Sequence, residues 1–328
     1  MFKIRPFQPT DAEYQAIHLV EKAVYPENAE SAADVKHNDA IRKPEQFYRR
    51  WVVEEDGRLI AFGNASRLTD SPEPDRYHFT IVVHPNFEQN GVGTAVYDQI
   101  WQTLQNCDPK PTILETGCYQ HHTQSVHFIQ KRGFQQVMRW VISKLDVLAF
   151  DPSLFAPLRR KLGAEGIAFY AVPQLQTNNP EWLPELHELD WQLVQDEPLP
   201  YTPKKMSLER FKQLYLDAPN AMVESWVVAV ENGRFIGNSM LEKRSQPGTA
   251  STGFTGILRD YRRRGLATAL KAQSIAYAQA AGYQGIRTGN EENNPMLALN
   301  KKLGFVEITA RLAFEKRGSL GTQGVDKP

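Results

Sequence analysis

Hydrophobic positions along the chain follow two rhythms, one of period two and one of period three to four. The first predicts strands over residues 2–6, 77–83, 112–116 and 140–145. The second predicts a helix that carries Tyr14, Ile17, Val20 and Val24 and opens at a Thr10-Asp11 cap. It also predicts a helix carrying Val92, Val96, Ile100 and Leu104, and one over 125–132 closed by Gly133. Trp51-Val52-Val53 leads through Asp56-Gly57 to Leu59-Ile60, a tight hairpin whose second arm extends through Gly63 and Ala65. Residues 26–44 are polar and read as a loop with helical pieces, and 44–50 as a short helix.

The same succession returns in the second half. Residues 167–172 restart the strand rhythm, and Leu183, Leu186, Leu189 and Leu193 repeat the spacing of the first helix. Ser207 caps a helix with Leu208, Phe211 and Leu214. Trp226-Val227-Val228 leads through Asn232-Gly233 to Phe235-Ile236, a second hairpin. Strands follow over 252–258, 285–288 and 311–316. Asn294-Pro295 opens a helix whose buried face is Met296, Leu299 and Leu303 and which ends at Gly304. Lys131-Arg132-Gly133-Phe134 recurs as Lys302-Leu303-Gly304-Phe305. A repeat this long is a duplicated domain. The expected division is a first domain over 1–150, a linker over 151–165, a second domain over 166–317 and a mobile tail over 318–328. Alternating strands and helices with an antiparallel start give an α/β fold, each domain a mixed sheet with helices on both faces.

Chemistry gathers where the central strand of each copy meets a helix. In the second copy Ile257 leads through Arg259, Arg262, Arg263 and Arg264 to Gly265, and in the first Val83 leads to Gly91 at the same separation. The first turn of a helix carries unpaired N–H groups and the positive dipole end, so this is a cradle for a diphosphate. No Lys-Ser/Thr pair closes it, which excludes the P-loop, and it is not GxGxxG.

The pattern Arg262-x-x-Gly265-x-Ala267 after a strand, with its counterpart Gln89-Asn90-Gly91-Val92-Gly93-Thr94, resembles the acetyl-CoA loop of the GNAT N-acetyltransferases. With the duplication, nearly the whole chain resembles tandem GNAT proteins. The resemblance implies a sheet whose central strands splay apart, so that the pantetheine arm enters as a pseudo-strand. Residues expected to hold acetyl-CoA are then Thr255, Gly256, Ile257, Arg262, Arg263, Arg264, Gly265, Leu266, Ala267, Thr268 and Asn294 in the second domain. In the first they are Ile81, Val82, Val83, Gln89, Asn90, Gly91, Val92, Gly93 and Thr94. Glu88 stands where Arg or Gln is usual and repels a diphosphate, which ranks the second domain first. The family's Tyr, which protonates the departing thiolate, is replaced by Ile129 and Asn300. Tyr201, in the acceptor loop over 195–206, is a substitute by position. Glu242 and Glu115, on strands beside the central cleft, are candidate bases for the amine.

Composition narrows the readings. The 328 residues suit two domains, with 41% hydrophobic residues for their cores. Equal numbers of basic and acidic residues, 38 each, argue against nucleic acid as a partner. Cys107 and Cys118 are the only cysteines, which implies no disulfide framework and suits a reducing cytoplasm. No signal-like or membrane-spanning run is expected. His121, His122 and His127 match no standard metal spacing, and no metal is expected. The expected activity is transfer of acetyl from acetyl-CoA to a primary amine of a small molecule, by a monomer or homodimer. A non-catalytic acyl-CoA sensor and a peptide or protein N-acetyltransferase stay open, and aminoacyl transfer from charged tRNA is disfavoured.

Overall fold

The structure is a computed structural model that describes residues 1–68, 71–199 and 201–318. Most of the expected tail therefore lies outside the described residues. In chain order the elements of the first repeat are β1 (Lys3–Pro6), α1 (Asp11–Val24), α2 (Ala32–Ala40), β2 (Tyr48–Glu55), β3 (Arg58–Arg67), β4 (Arg76–Val83), α3 (Val92–Leu104), β5 (Ile113–Tyr119), α4 (Thr123–Lys131) and β6 (Gln135–Asp146). Then come α5 (Ala156–Ala164), β7 (Ile167–Ala171), α6 (Val172–Asn178), α7 (Trp182–Val194), α8 (Leu208–Tyr215), β8 (Val227–Glu231), β9 (Arg234–Lys243), β10 (Thr249–Ile257), α9 (Leu266–Ala280), β11 (Gly285–Glu291), α10 (Pro295–Lys302) and β12 (Val306–Arg317).

Local chemistry explains most boundaries. Thr10 and Ser207 accept the amides of Glu13 and Arg210 and so start α1 and α8. Asp56 and Asn232 take positive φ ahead of Gly57 and Gly233, which closes both hairpins. The short helix expected over 44–50 is absent. Tyr48 already begins β2, because Tyr48 and Arg50 pair with Ser66 and Asn64 and ladder bonds outweigh local propensity.

The chain forms two compact units, and their boundaries differ from those expected. Unit 1 comprises Met1–Arg139 with the stretch that begins at Arg311, and unit 2 is Trp140–Ala310. The last strand of each repeat is given to the other sheet. In unit 1, residues 311–317 of β12 pair antiparallel with β5. In unit 2, residues 140–146 of β6 pair antiparallel with β11. The expected linker is mostly α5, and its Leu162 is fully buried in the unit 2 core.

Both units are mixed sheets covered on two faces. In unit 1, Tyr14, Ile17 and Val35 of α1 and α2 pack on one face, and Val96, Tyr97, Ile100 and Ile129 of α3 and α4 on the other. In unit 2, Leu186, Leu189 and Phe211 of α7 and α8 cover one face. Leu266, Leu270 and Ile275 of α9 cover the other. The central parallel pairs are short. β4 and β5 are in register only at Arg76↔Ile113, Tyr77↔Leu114 and His78↔Glu115. β10 and β11 are in register only at Thr249↔Gly285, Ala250↔Ile286 and Ser251↔Arg287. Beyond these points the strands diverge, and each sheet is splayed.

The exchange predicts that residues 1–150 expressed alone, which lack the strand that covers β5, will not give a cooperative monomer. Circular dichroism with gel filtration checks this; a sharp melt at monomer volume would show that unit 1 closes without residues 311–317.

Candidate active site

The loop after the central strand has one conformation in both units. In unit 2 a 3-10 turn, Arg259–Tyr261, leads to Arg262 (φ −68°, ψ 164°), Arg263 (φ 64°) and Gly265 (φ 90°, ψ 4°), where α9 begins. In unit 1 Pro85–Phe87 leads to Glu88 (φ −64°, ψ 158°), Gln89 (φ 63°) and Gly91 (φ 79°, ψ −5°), where α3 begins. Left-handed residues just before a helix turn backbone amides toward one concavity, a nest for an anion. Neither helix is capped by a side chain, so the first-turn amides of Leu266, Ala267 and Thr268, and of Val92, Gly93 and Thr94, keep their donors. Gly265 is required by φ, and a Cβ there would also press on the end of the Leu158 side chain of α5 at 2.9 Å. At Gly91 only φ requires it.

The arginines are less available than the sequence suggests. Asp196, just past α7, binds both Arg259 and Arg262, and Arg259 foremost holds its carboxyl below the usual range. Arg264 bridges Glu231 at 3.1 Å and Glu165 at 3.0 Å. Arg263 is exposed and has no carboxylate partner among the described residues. Residues 88–91 of unit 1 carry no cation, but Arg132 lies beside the start of α3, 3.0 Å from Thr94 Oγ1 and 3.5 Å over the Phe128 ring.

Each splayed strand keeps one laddered edge. Thr255, Gly256 and Ile257 pair with Ser239, Asn238 and Gly237, and Ile81, Val82 and Val83 with Gly63, Phe62 and Ala61. Their other edges face the gap past the last parallel pair. In unit 2 the register shifts between Thr252 and Phe254, which makes Gly253 a bulge at the point of divergence. A Cβ on Gly253 would meet Glu242 Oε1 at 2.8 Å, so that carboxylate lies over the bulge. Glu242 shares a strand face with Met240, which packs in the α7-side core.

The Glu115 carboxylate is engaged by Arg76, which is fully buried and also bonded to Glu73 at 2.6 Å and Glu315 at 2.8 Å. A guanidinium beside it favours its charged form. Tyr201 is half-buried between α7 and α8. Asn294 caps α10, accepting the Met296 amide at 2.9 Å. Asn300 is buried and donates to Asn290 at 2.6 Å. Among the described residues, no three His, Cys, Asp or Glu side chains are placed to hold a metal ion.

The sequence profile of the acetyltransferase (GNAT) family matches residues 14–134 and 184–305. The chain belongs to the GNAT family. Its fold is that of a tandem GNAT protein from the clavulanic acid biosynthesis pathway, at 17% identity and TM-score 0.74 over 98% of this chain and all of that one. A GCN5-related N-acetyltransferase from Sphaerobacter thermophilus aligns at 18% identity and TM-score 0.69, covering 96% of this chain and 95% of that one. No curated protein matches the chain. The GNAT fold supports acyl transfer. No helix among the described residues is long and apolar enough to cross a membrane.

Four residues of this GNAT chain were not legible as candidates in the sequence. Lys271 of α9 is 3% exposed, and burial pushes its ammonium down to about 7. Asn238 of β9 is 1% exposed, and neither of its amide atoms has a partner. Burial, then the nearby Glu197, raises the Asp190 carboxyl on α7 to about 7. Glu21 of α1 is likewise raised to about 7, by burial and then Glu30. Each acid directly follows the third position of its helix's apolar stripe, Val20 after Tyr14 and Ile17 or Leu189 after Leu183 and Leu186.

Asp190 holds a proton in the folded chain that the unfolded chain releases at an ordinary carboxyl of 3.8. This linkage is present at low pH and is lost as the pH rises through about 4 to about 7. Asp190→Asn should therefore melt like the parent near pH ~4 and a few degrees higher near pH ~8. Calorimetric melts at both values check this; equal melts at both would place the carboxyl in water. Asn294→Ala should cost ~1 kcal/mol as a lost cap, and Asn294→Asp nothing. Denaturant unfolding of the two variants separates them.

Proposed function

We propose that the chain is an N-acetyltransferase that moves acetyl from acetyl-CoA to a primary amine of a small molecule, with unit 2 as the working half. One observation carries this reading: the uncapped start of α9, with its left-handed Arg263 and Gly265, follows directly on the open edge of β10. Anion cradle and open edge are the two parts that a diphosphate with an amide-bearing arm needs, in the order in which such a molecule presents them. Unit 2 is favoured because Arg263 is free and no carboxylate occupies the place that Glu88 takes in unit 1.

In this reading the α9 amides and Arg263 hold the diphosphate, and the open edge of β10 aligns the arm. Amides freed by the Gly253 bulge polarise the acetyl carbonyl. Glu242, over the same bulge, takes the proton of the incoming amine, whose free pKa near ~10 otherwise keeps it charged. Asp196 competes for Arg259 and Arg262, so cofactor affinity rests on the amides and Arg263. The protein acts free of nucleic acid and membrane, as a monomer or homodimer, and in the cytoplasm. A second reading, a non-catalytic acyl-CoA sensor, is supported by Asn300, which is bonded to Asn290 and has no proton to give to a thiolate.

Titration calorimetry with acetyl-CoA tests the site. Arg263→Ala should weaken binding by ~1.5–3 kcal/mol, the worth of a charge-assisted bond. Asn294→Asp should keep the melting temperature and raise KM for acetyl-CoA, because an acceptor with negative charge replaces a donor. Unchanged affinity in Arg263→Ala would move the cofactor away from α9. A screen of amines for CoA release separates transferase from sensor.

A further inference from the structure

Lys271 is a lysine that a core has no use for. It lies in the second turn of α9, among Leu266, Ala269, Leu270, Ala272 and Ile275, and it is 3% exposed. Its Nζ meets one polar partner, Thr252 Oγ1 at 3.3 Å, and stands 5.5 Å from the centre of the Phe305 ring. An ammonium without a carboxylate in such a place destabilises the fold, and a methionine would fill the same space without that cost. Lys316 of unit 1 shows what a structural lysine looks like: its Nζ donates to the carbonyl of Arg132 at the end of α4. In the register that places Gly91 on Gly265, Lys271 falls on Tyr97, an ordinary core residue of unit 1 packed on Phe79, Trp101 and Phe128. The repeat itself therefore does not require a cation there.

Its place in the sheet gives it a task. Thr252 is the first residue of β10 past the last parallel pair, Ser251↔Arg287, and it immediately precedes the Gly253 bulge. Thr252 pairs with Leu241, whose side chain lies in the core shared with α9, so Nζ approaches from the α9 side. Glu242 lies over the bulge from the α7 side. An amine and a carboxylate thus flank one point of divergence from opposite faces.

We propose that Lys271 is the proton source for the thiolate that leaves in unit 2, with the Thr252 hydroxyl as its relay. The proposal rests on the reading that acetyl-CoA occupies the unit 2 splay. The balance is simple. The neutral amine bonds to the acetyl carbon, the C–S bond breaks, and its electron pair stays on sulfur. Nζ gives a proton through Thr252 Oγ1 to that sulfur, while the proton of the amine nitrogen passes to Glu242. Glu242, which has already passed the ammonium proton of the incoming amine to solvent, releases this one there too; Lys271, left neutral, regains one from solvent, and the products are amide and thiol. Burial supports this by making the ammonium a far stronger acid than a lysine in water, strong enough to serve a thiol of pKa ~8.5. No charged group contributes to that shift, since burial is its single cause. The titratable residues of the elements packed on α9, Arg234, Glu242 and Lys243 of β9, Glu231 of β8, Glu224 of the turn over 223–225 and Arg159, Arg160 and Lys161 of α5, add nothing to it. β10 carries no charged residue.

The test uses the full chain with CoA and with desulfo-CoA, which lacks the sulfur. Lysine side-chain resonances are followed by NMR against pH, and the Lys271 signal is assigned by its loss in Lys271→Met. It should titrate near neutrality in the free protein. CoA should move that titration by about one pH unit, the size expected for a charge partner, and desulfo-CoA should leave it in place. In Lys271→Met, kcat should fall about 100-fold or more, with KM for acetyl-CoA nearly unchanged and a raised melting temperature. A Lys271 titration that CoA and desulfo-CoA shift equally, or not at all, overturns the proposal while the binding reading stands. If neither ligand perturbs the amides at the start of α9, the binding reading fails and takes the proposal with it. Full kcat in Lys271→Met also overturns it.

Discussion

Everything in this protein depends on ladders that stop early. Three residue pairs join β10 to β11 and three join β4 to β5, after which each central strand has backbone donors and acceptors on one edge with no strand to meet them. Such groups are costly when buried dry. The sheet tolerates the opening because helices lie on both faces, so the strands diverge within a scaffold that cannot collapse. The loops at Gly91 and Gly265 sit at the ends of those same open edges.

Duplication has left the two openings chemically unlike. In unit 1 the buried guanidinium of Arg76 ties together Glu315, which is also buried, Glu115, which is partly so, and the more exposed Glu73 at the base of the splay. Removing one partner of such a cluster costs far more than the cluster contributes, so it locks the strand positions. In unit 2 the same region holds a bulge, a hydroxyl and a lone amine. One copy carries an ion-pair cluster there, and the other a lysine whose one hydrogen bond among the described residues goes to a hydroxyl.

Much of this was legible in the chain. Tyr14, Ile17 and Val20, or Leu186, Leu189 and Leu193, announce their helices because one wet face and one dry face force the spacing. The Asp56-Gly57 and Asn232-Gly233 turns announce their hairpins, and the glycine loops announce themselves by recurring. Three things were hidden, each for a physical reason. The burial of Lys271 was hidden because α9 is buried almost all round, and its chemical period blurs; only the alignment with Tyr97 marks it as odd. Arg259, Arg262 and Arg264 looked free because Asp196, Glu165 and Glu231, which pair with them, lie tens of residues away. The exchange of last strands was hidden because periodicity says that a segment is a strand and never which edge it joins.

That exchange has a consequence for how the protein is made. Unit 2 is one unbroken stretch of chain, Trp140–Ala310, and can close as soon as the ribosome has released it. Unit 1 is written first and finished last: β5 must wait with a bare edge until residues 311–317 emerge. For most of synthesis the older half carries an open strand, the kind of edge that recruits stray chains. Residues 311–317 thus act as the stitch that ends the exposure of the first half.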